Sequence, residues 1–591
     1  MIRIALLCFL LCVASVAQAQ KKAPAASSSL CTQDYAVDTT KQQILLTRTF
    51  DNPVHRITVL IRAADLLWTY DQEKALAAFM EAFDLAVQNF KENGDQTTRA
   101  SQNRFSAVIA LPDQRFRVLS ALARRDPAKA RKLSEQILRD PSQEIADKSA
   151  TPAQLQMRTA EKILTLAYGL IPSDVTAAIS FARQNFRYPA TLNLPAFLYE
   201  LARQNNKQAA DEFYLEALAA YGSKPMDQFL YLSAYPFGNQ REAGEMPGYT
   251  YYAVPEGYVP NRALQRQFIQ TLLARVEGAL ATPVEPSSGY RYPDQAQMWL
   301  ALSRLEKQVQ DNLPDLAEAA TNAKEKLFAS LNQATQEQVR GQIALDNTPK
   351  RSFDEQVEYA EKLKDAGGRD QALSSAVTSY SKVEPVEKVL SVIDKISEAG
   401  IRDSLLNWFY YFRTQELIAA KNLTEARKLA NNVAELDQRA YLFTRIAEES
   451  LKQTEDPSVA RDVLNEIANA LSKAPKTIVA ACALLALAYL YARVDTNRGV
   501  EELGNAVRTI NALENPDFSR QFVMMKIEGK TFGSYASFQT PGFNPENAFR
   551  EMGKLDFDGS LAQATAFTDK SLRALTTLAV IEPCFSHKKA K

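Results

Sequence analysis

Residues 71–86 read DQEKALAAFMEAFDLA, and this stretch decides the fold class. Asp71 has the side chain that accepts from the free N–H groups of a first helical turn. Four residues later Ala75 opens an apolar series, Ala78, Phe79 and Ala82, at the spacing of one helix face. The unit is an apolar helix, a tight turn at Asp, Asn or Gly, and a small residue four positions on that opens a second helix.

The same unit recurs over residues 53–583. Its turns fall at Asp71, Asp126, Asp174, Asn206, Gly368, Asn422, Asp456, Asp495 and Asp558. The small partners are Ala75, Ala130, Ala178, Ala210, Ala372, Ala426, Ala460, Gly499 and Ala562. In an Ala-rich chain the spacing alone carries little weight. The apolar faces beyond it carry more: Ala210, Phe213, Tyr214, Ala217; Ala426, Leu429, Ala430, Val433; Ala460, Val463, Leu464, Ile467. Pro127 and Pro457 follow an Asp directly, where a missing N–H costs a helix nothing. The small residue lets the second helix lie close to the first. Such a pair cannot bury its face alone, so neighbours must stack. The expected fold is all-α: an α-solenoid of stacked antiparallel helix pairs, curved or closed, with two aromatic non-helical insertions.

On these residues the chain resembles the tetratricopeptide repeat class. Ala75-x-x-x-Phe79 stands where that class has Ala-x-x-x-Phe in its second helix, and Ala210-x-x-x-Tyr214 is a looser match. The class's first-helix Trp, Leu-Gly and Tyr pattern is missing, as is its regular closing Pro. Spacing between turns is irregular. The resemblance implies a solenoid whose concave face binds partner peptides or proteins, and it transfers no functional residue.

Residues 1–19, MIRIALLCFLLCVASVAQA, have a basic start at Arg3, a short apolar core and an Ala17-Gln18-Ala19 end. That is the pattern of a Sec signal peptide cleaved near Ala19, and the core is short for a membrane anchor. Leu11 before Cys12 does not fit a lipoprotein signal. The protein is expected in the periplasm or outside the cell. Residues 20–52 read as a tether and arm, residues 53–345 as an N-terminal helical-repeat lobe and residues 346–591 as a C-terminal one. The boundary is placed at DNTPKRS from Asp346, where Pro sits among polar residues.

The chain carries 69 basic and 69 acidic groups, with no basic block. This offers no electrostatic footprint for nucleic acid or an anionic membrane. Only His55 and His587 are present, which excludes a His-rich zinc site or an H-E-x-x-H protease, and no cofactor motif is found. Ser379-x-x-Lys382 lacks the companion motifs of its enzyme class. Asp556, Asp558 and Gly559 suit a helix cap better than a calcium loop. Trp68, Trp299 and Trp408 lie in apolar helical stretches that suit core packing. Ile478–Ala492 is apolar throughout but short for a bilayer, and it leads into Asp495 in the repeat register; a helix buried on all sides is expected, with no transmembrane span in the mature chain.

Two segments break the helical pattern. The first, from Tyr231, holds Tyr231, Tyr235, Tyr249, Tyr251, Tyr252 and Tyr258; the second, from Thr531, holds Tyr535 and Phe538. Either the aromatics form a binding surface, to which tyrosine is suited, or they fold back and plug the array. Cys8 and Cys12 lie in the leader, leaving Cys31, Cys482 and Cys584. Cys482 sits in the apolar helix, so an oxidising compartment would pair Cys31 with Cys584 and join the chain ends; the alternatives are two free thiols or a cross-link between chains. The functional expectation is a non-catalytic scaffold for a protein or peptide partner. The alternative is a glycan-acting hydrolase or lyase on a helical toroid, which needs converging carboxylates in a cleft.

Overall fold

A computed structural model describes residues 30–94, 113–139, 151–238, 241–242, 250–252, 254–283, 292–346, 351–453, 457–514, 518, 522–530, 533–539 and 545–586. The expected leader at 1–19, residues 20–29 of the tether, Tyr249 and His587 lie outside the described residues, as do positions 347–350 of the expected lobe boundary.

The fold is all-α, with consecutive helices packed as pairs. Helix Pro53–Leu67 packs on Gln72–Asn93, Asp294–Asn312 on Pro314–Ser330, and Ile478–Ala492 on Thr496–Asn511. The turn chemistry is that of the repeat unit. Asp71, Asp126, Asp174, Asn422 and Asp495 each cap the following helix, accepting from a backbone N–H three residues on. Ala75, Ala130, Ala178, Ala210, Ala426 and Ala460 are wholly buried. At Gly499 the two helices lie too close for a side chain: an added Cβ would lie 2.6 Å from the Ala492 Cβ. Two expected turns are shifted. The cap before Gly368 is Asp365, and the cap before Asp558 is Asp556. The register moves with them, so Ala372 is half-buried and Ala562 exposed, while Ser560, four residues after Asp556, is fully buried.

Helix Ile478–Ala492 is buried around most of its circumference and contacts helices Leu436–Gln453, Ser458–Ser472, Thr496–Asn511 and Pro545–Leu555. Cys482 is buried within it, and burial pushes its thiol up to about 12. Among the described residues no helix is long and apolar enough to cross a membrane.

The two ends of the array meet. Residues 33–46 form a helix, not a flexible arm; its inward face is Ala36, Thr39 and Thr40, and two buried threonines disguise it as polar sequence. Thr40 Oγ1 satisfies itself on the Ala36 carbonyl at 2.7 Å. Helix Pro53–Leu67 buries two faces. Ile57, Leu60 and Ala64 join a core that continues to Leu327, while Val59 and Ala63 join one built mainly from residues 411–585. Helix Lys570–Ile581 packs on both N-terminal helices. Arg62 pairs with Glu582, which also pairs with Arg550; Tyr70 donates its hydroxyl to the Phe585 carbonyl at 2.7 Å. Cys31 and Cys584 are disulfide-bonded across this junction, with Cα atoms 5.1 Å apart. The solenoid is therefore closed end on end.

Two antiparallel hairpins interrupt the helices: 241–242 with 250–252, and 522–528 with 533–539. Both differ in extent from expectation. Tyr231–Phe237 is still helical turn, and the second interruption begins earlier, at Phe522.

Candidate functional site

The first insertion is held by tyrosines. Tyr235 is fully buried, its ring 5.5 Å from Tyr199, 5.6 Å from Tyr214 and 5.5 Å from Tyr258. Its hydroxyl donates to Asp211 Oδ1 at 2.7 Å; Asp211 also accepts from Lys207 and Asn261. Tyr258 donates to the Tyr235 carbonyl and Tyr199 to the Ala234 carbonyl, both at 2.7 Å. Burial raises the hydroxyl pKa of Tyr235 and Tyr258 far above the usual tyrosine value, so both stay protonated donors. Tyr235 is thus a core residue, not part of an exposed surface, and Tyr231 and Tyr258 pack half-buried against the same core. The reason is that Asp211 and nearby carbonyls offer the hydroxyls buried partners. Tyr251 and Tyr252 lie on the 250–252 strand, and Tyr535 and Phe538 pair in register with Lys526 and Val523. The side chains of these four lie outside the described residues. The structure brings Tyr235 and Tyr258 together; it places Tyr535 and Phe538 on a different element.

The anchored insertion forms one wall of an open groove of about 600 Å³. Pro255 to Tyr258 make a turn, with Tyr258 N–H donating to the Pro255 carbonyl at 3.0 Å. Gly257 has φ +72°, which a turn of this form reserves for glycine. The turn presents Val254, Pro255 and Glu256 to the groove. The second wall is helix Asn193–Arg203. It buries Leu194, Phe197, Leu198 and Leu201 in the core and lines the groove with Asn193, Ala196, Arg203 and the largely buried Glu200. The third is helix Pro152–Leu170, started by a Thr151–Gln154 capping box and contributing Leu164, Thr165 and Tyr168.

Glu200 is the polar centre. Its carboxylate accepts from Arg203 Nε at 2.8 Å and Nη2 at 2.6 Å, from Gln204 at 3.0 Å and from the Tyr168 hydroxyl at 3.2 Å. Burial works against its ionisation, but the bonds from Gln204 and Arg203, the Arg203 charge and the Tyr168 hydroxyl outweigh it and hold the carboxyl below its ordinary value. Burial, with the Glu200 charge, raises the Tyr168 hydroxyl. A carboxylate held ionised by a bidentate arginine is not poised to donate a proton. It suits fixed recognition: a rim with an arginine edge, a half-exposed tyrosine and apolar walls at Leu164, Ala196 and Val254. Sequence reasoning missed Tyr168, Asn193, Glu200 and Arg203. Glu200 and Arg203 three apart on a helix read as an ordinary surface pair, and no local signal marks the groove.

The junction of the chain ends also gathers a Ser, a His and an Asp. Ser571 Oγ lies 3.2 Å from His55 Nδ1 and donates to Asp569 Oδ1 at 2.6 Å. The order differs from that of a nucleophilic triad, where histidine takes the serine proton and the acid orients the histidine. Here the proton goes to the acid, which also caps helix Lys570–Ile581 through Leu572 N–H at 2.8 Å. The arrangement fastens the junction. Among the described residues no group of three or more His, Cys, Asp or Glu is placed to hold a metal ion. Trp68, Trp299 and Trp408 pack half-buried on the helical cores.

No family model and no curated protein matches this chain. Among known structures it is similar to a homology model of the full-length AP-3 complex in an intermediate open conformation. The identity is 13%, over 99% of this chain and 100% of that chain, with a TM-score of 0.19. At that score the likeness carries no weight for fold or function.

Proposed function

We propose that the protein is an exported, non-catalytic scaffold whose groove between helices Pro152–Leu170 and Asn193–Arg203 receives a segment of a partner protein. The observation that carries this reading is the groove itself: about 600 Å³, open, apolar along its walls and set with Arg203, Tyr168 and Asn193. A volume of this size admits a few side chains of an extended peptide, and the arginine edge favours a segment carrying carboxylate or backbone acceptors. Export is supported by the leader pattern at residues 1–19 and by a cross-link of Cys31 to Cys584 that calls for an oxidising compartment.

A photo-crosslinking residue at Ala196 tests the reading in the envelope fraction of the source cell. The expected result is a defined protein adduct from position 196, lost when Arg203→Glu is added, and none from the exposed Val383, which does not line the groove. Equal labelling from both positions would refute the groove. Release of sugar from envelope glycans by the purified protein would refute the non-catalytic reading. Amino-terminal sequencing of the protein from its native compartment should begin at Gln20.

A further inference from the structure

The second hairpin carries an observation independent of the groove. Strands Phe522–Glu528 and Gly533–Gln539 pair antiparallel over their full length with no bulge. The first strand docks on helix Ala399–Ala419. Met525 and Ile527 are buried, and Glu528 N–H donates to Ser404 Oγ at 3.1 Å. Lys530 N–H, just beyond, donates to Glu398 Oε1 at 2.7 Å. These bonds fix the phase of the ladder. The Glu528 N–H points away from the neighbouring strand, so Glu528 and Gly533 are a non-hydrogen-bonded pair. Alternation then makes Ile527–Ser534, Met525–Ala536 and Val523–Phe538 the bonded pairs. It follows that Gly533, Tyr535, Ser537 and Gln539 turn their N–H and C=O groups to the outer edge. Among the described residues no third strand takes them.

The strand itself lacks the charge, proline and bulge that keep strand edges apart. GSYASFQ contains no charged residue and no proline, and its register is unbroken. We propose that this edge pairs with the same edge of a second copy of the chain, about a two-fold axis at Ala536. In that register Tyr535 faces Ser537 of the partner subunit and Gly533 faces Gln539 of the partner subunit. Every outward residue therefore meets another outward residue, in up to about eight hydrogen bonds. The absence of charge favours a second copy: like charges brought together across the axis would oppose it. The product is a four-stranded sheet whose outer strands each rest on their own helix.

Sedimentation of the full chain between about 1 and about 200 µM, the range expected for a small interface, measures the association. Ser537→Pro removes an outward N–H without touching a bond to the 522–528 strand, and Ser537→Lys places charge on the edge. Both should weaken dimerisation at least about tenfold, the effect of about 1.4 kcal/mol, with circular dichroism and thermal midpoint unchanged. Ala536→Cys, next to itself across the axis, should cross-link the dimer on oxidation, at a Cα separation a disulfide accepts. A chain that stays monomeric over the whole range overturns the proposal. So does a dimer that both Ser537 variants leave intact, or one that Ala536→Cys does not cross-link. A monomer that instead takes up an added extended peptide along 533–539 overturns the choice of a second copy.

Discussion

Replacing Cys31 with serine removes the bond that joins the chain ends, and its cost follows from the structure. Cys31 is half-buried and Cys584 fully buried, so Cys31→Ser avoids placing a new hydroxyl in the core. The bond closes a loop with a sequence separation of 553. The chain-entropy expression gives about 6 kcal/mol for a loop this long, if the whole array unfolds as one unit. Stacked arrays contact only their neighbours and unfold in pieces, so the observed loss should be nearer the usual 2–5 kcal/mol range, about 3 kcal/mol. The native closure should survive. Helix 33–46 still packs on helix 570–581, Tyr70 still holds the Phe585 carbonyl, and Lys570 Nζ still reaches the Thr49 carbonyl at 3.1 Å. Urea denaturation should thus show a lower midpoint for Cys31→Ser, with the same radius of gyration by X-ray scattering in the absence of urea. Hydrogen exchange should quicken first in residues 33–46 and 570–581. A stability loss under about 1 kcal/mol, together with unchanged exchange in both helices, would refute the view that the disulfide constrains the junction.

Three further outcomes are expected. Gly499→Ala drives a methyl group to 2.6 Å from the Ala492 Cβ and should cost about 1–3 kcal/mol in thermal or urea unfolding, whereas Ala75→Gly, which opens space instead, should cost less per atom changed. Glu200 has its folded-state pKa lowered, so the stability it contributes is present above its ordinary value of 4.5 and is lost as pH falls through the folded value; Arg203→Ala should flatten that loss in urea titrations across the acid range, and an unchanged slope would contradict the ion-pair assignment. In a chain lacking residues 1–19, and so Cys8 and Cys12, with Cys31 and Cys584 bonded and the Cys482 thiol raised to about 12 by burial, the folded protein should give no thiol reaction at pH 8 and one thiol in denaturant without reductant, measured by alkylation and mass spectrometry.

Much of the fold was legible because its signals are local. An Asp that caps a helix and a small residue four positions on are read within one turn, and six of the alanines so marked are fully buried. Where the reading slipped, at Gly368 and Asp558, the cap lay three or two residues earlier, and an Asp-rich or Gly-rich turn offers several equivalent caps. Helix 33–46 escaped because its buried face is threonine. The candidate site was far less legible: for Tyr235 the sequence left binding surface and plug as alternatives, and the structure buries it on Tyr199 and Tyr214 with its hydroxyl on Asp211.

The sequence by itself determined that the chain is helical, that its helices pair and that Ile478–Ala492 is a core helix, and it offered Cys31 and Cys584 as the pair to expect once Cys8 and Cys12 are set aside with the leader. Periodicity records which face of a helix is buried; it does not record against what. Only the tertiary structure decided that Pro53–Leu67 buries one face in each half of the array, that Arg62 meets Glu582 across a separation of 520 residues, and that Tyr168 on one helix completes the shell of Glu200 on another. Such meetings depend on small rotations between successive pairs, summed around the array until its ends touch, and no local stretch of sequence carries that sum.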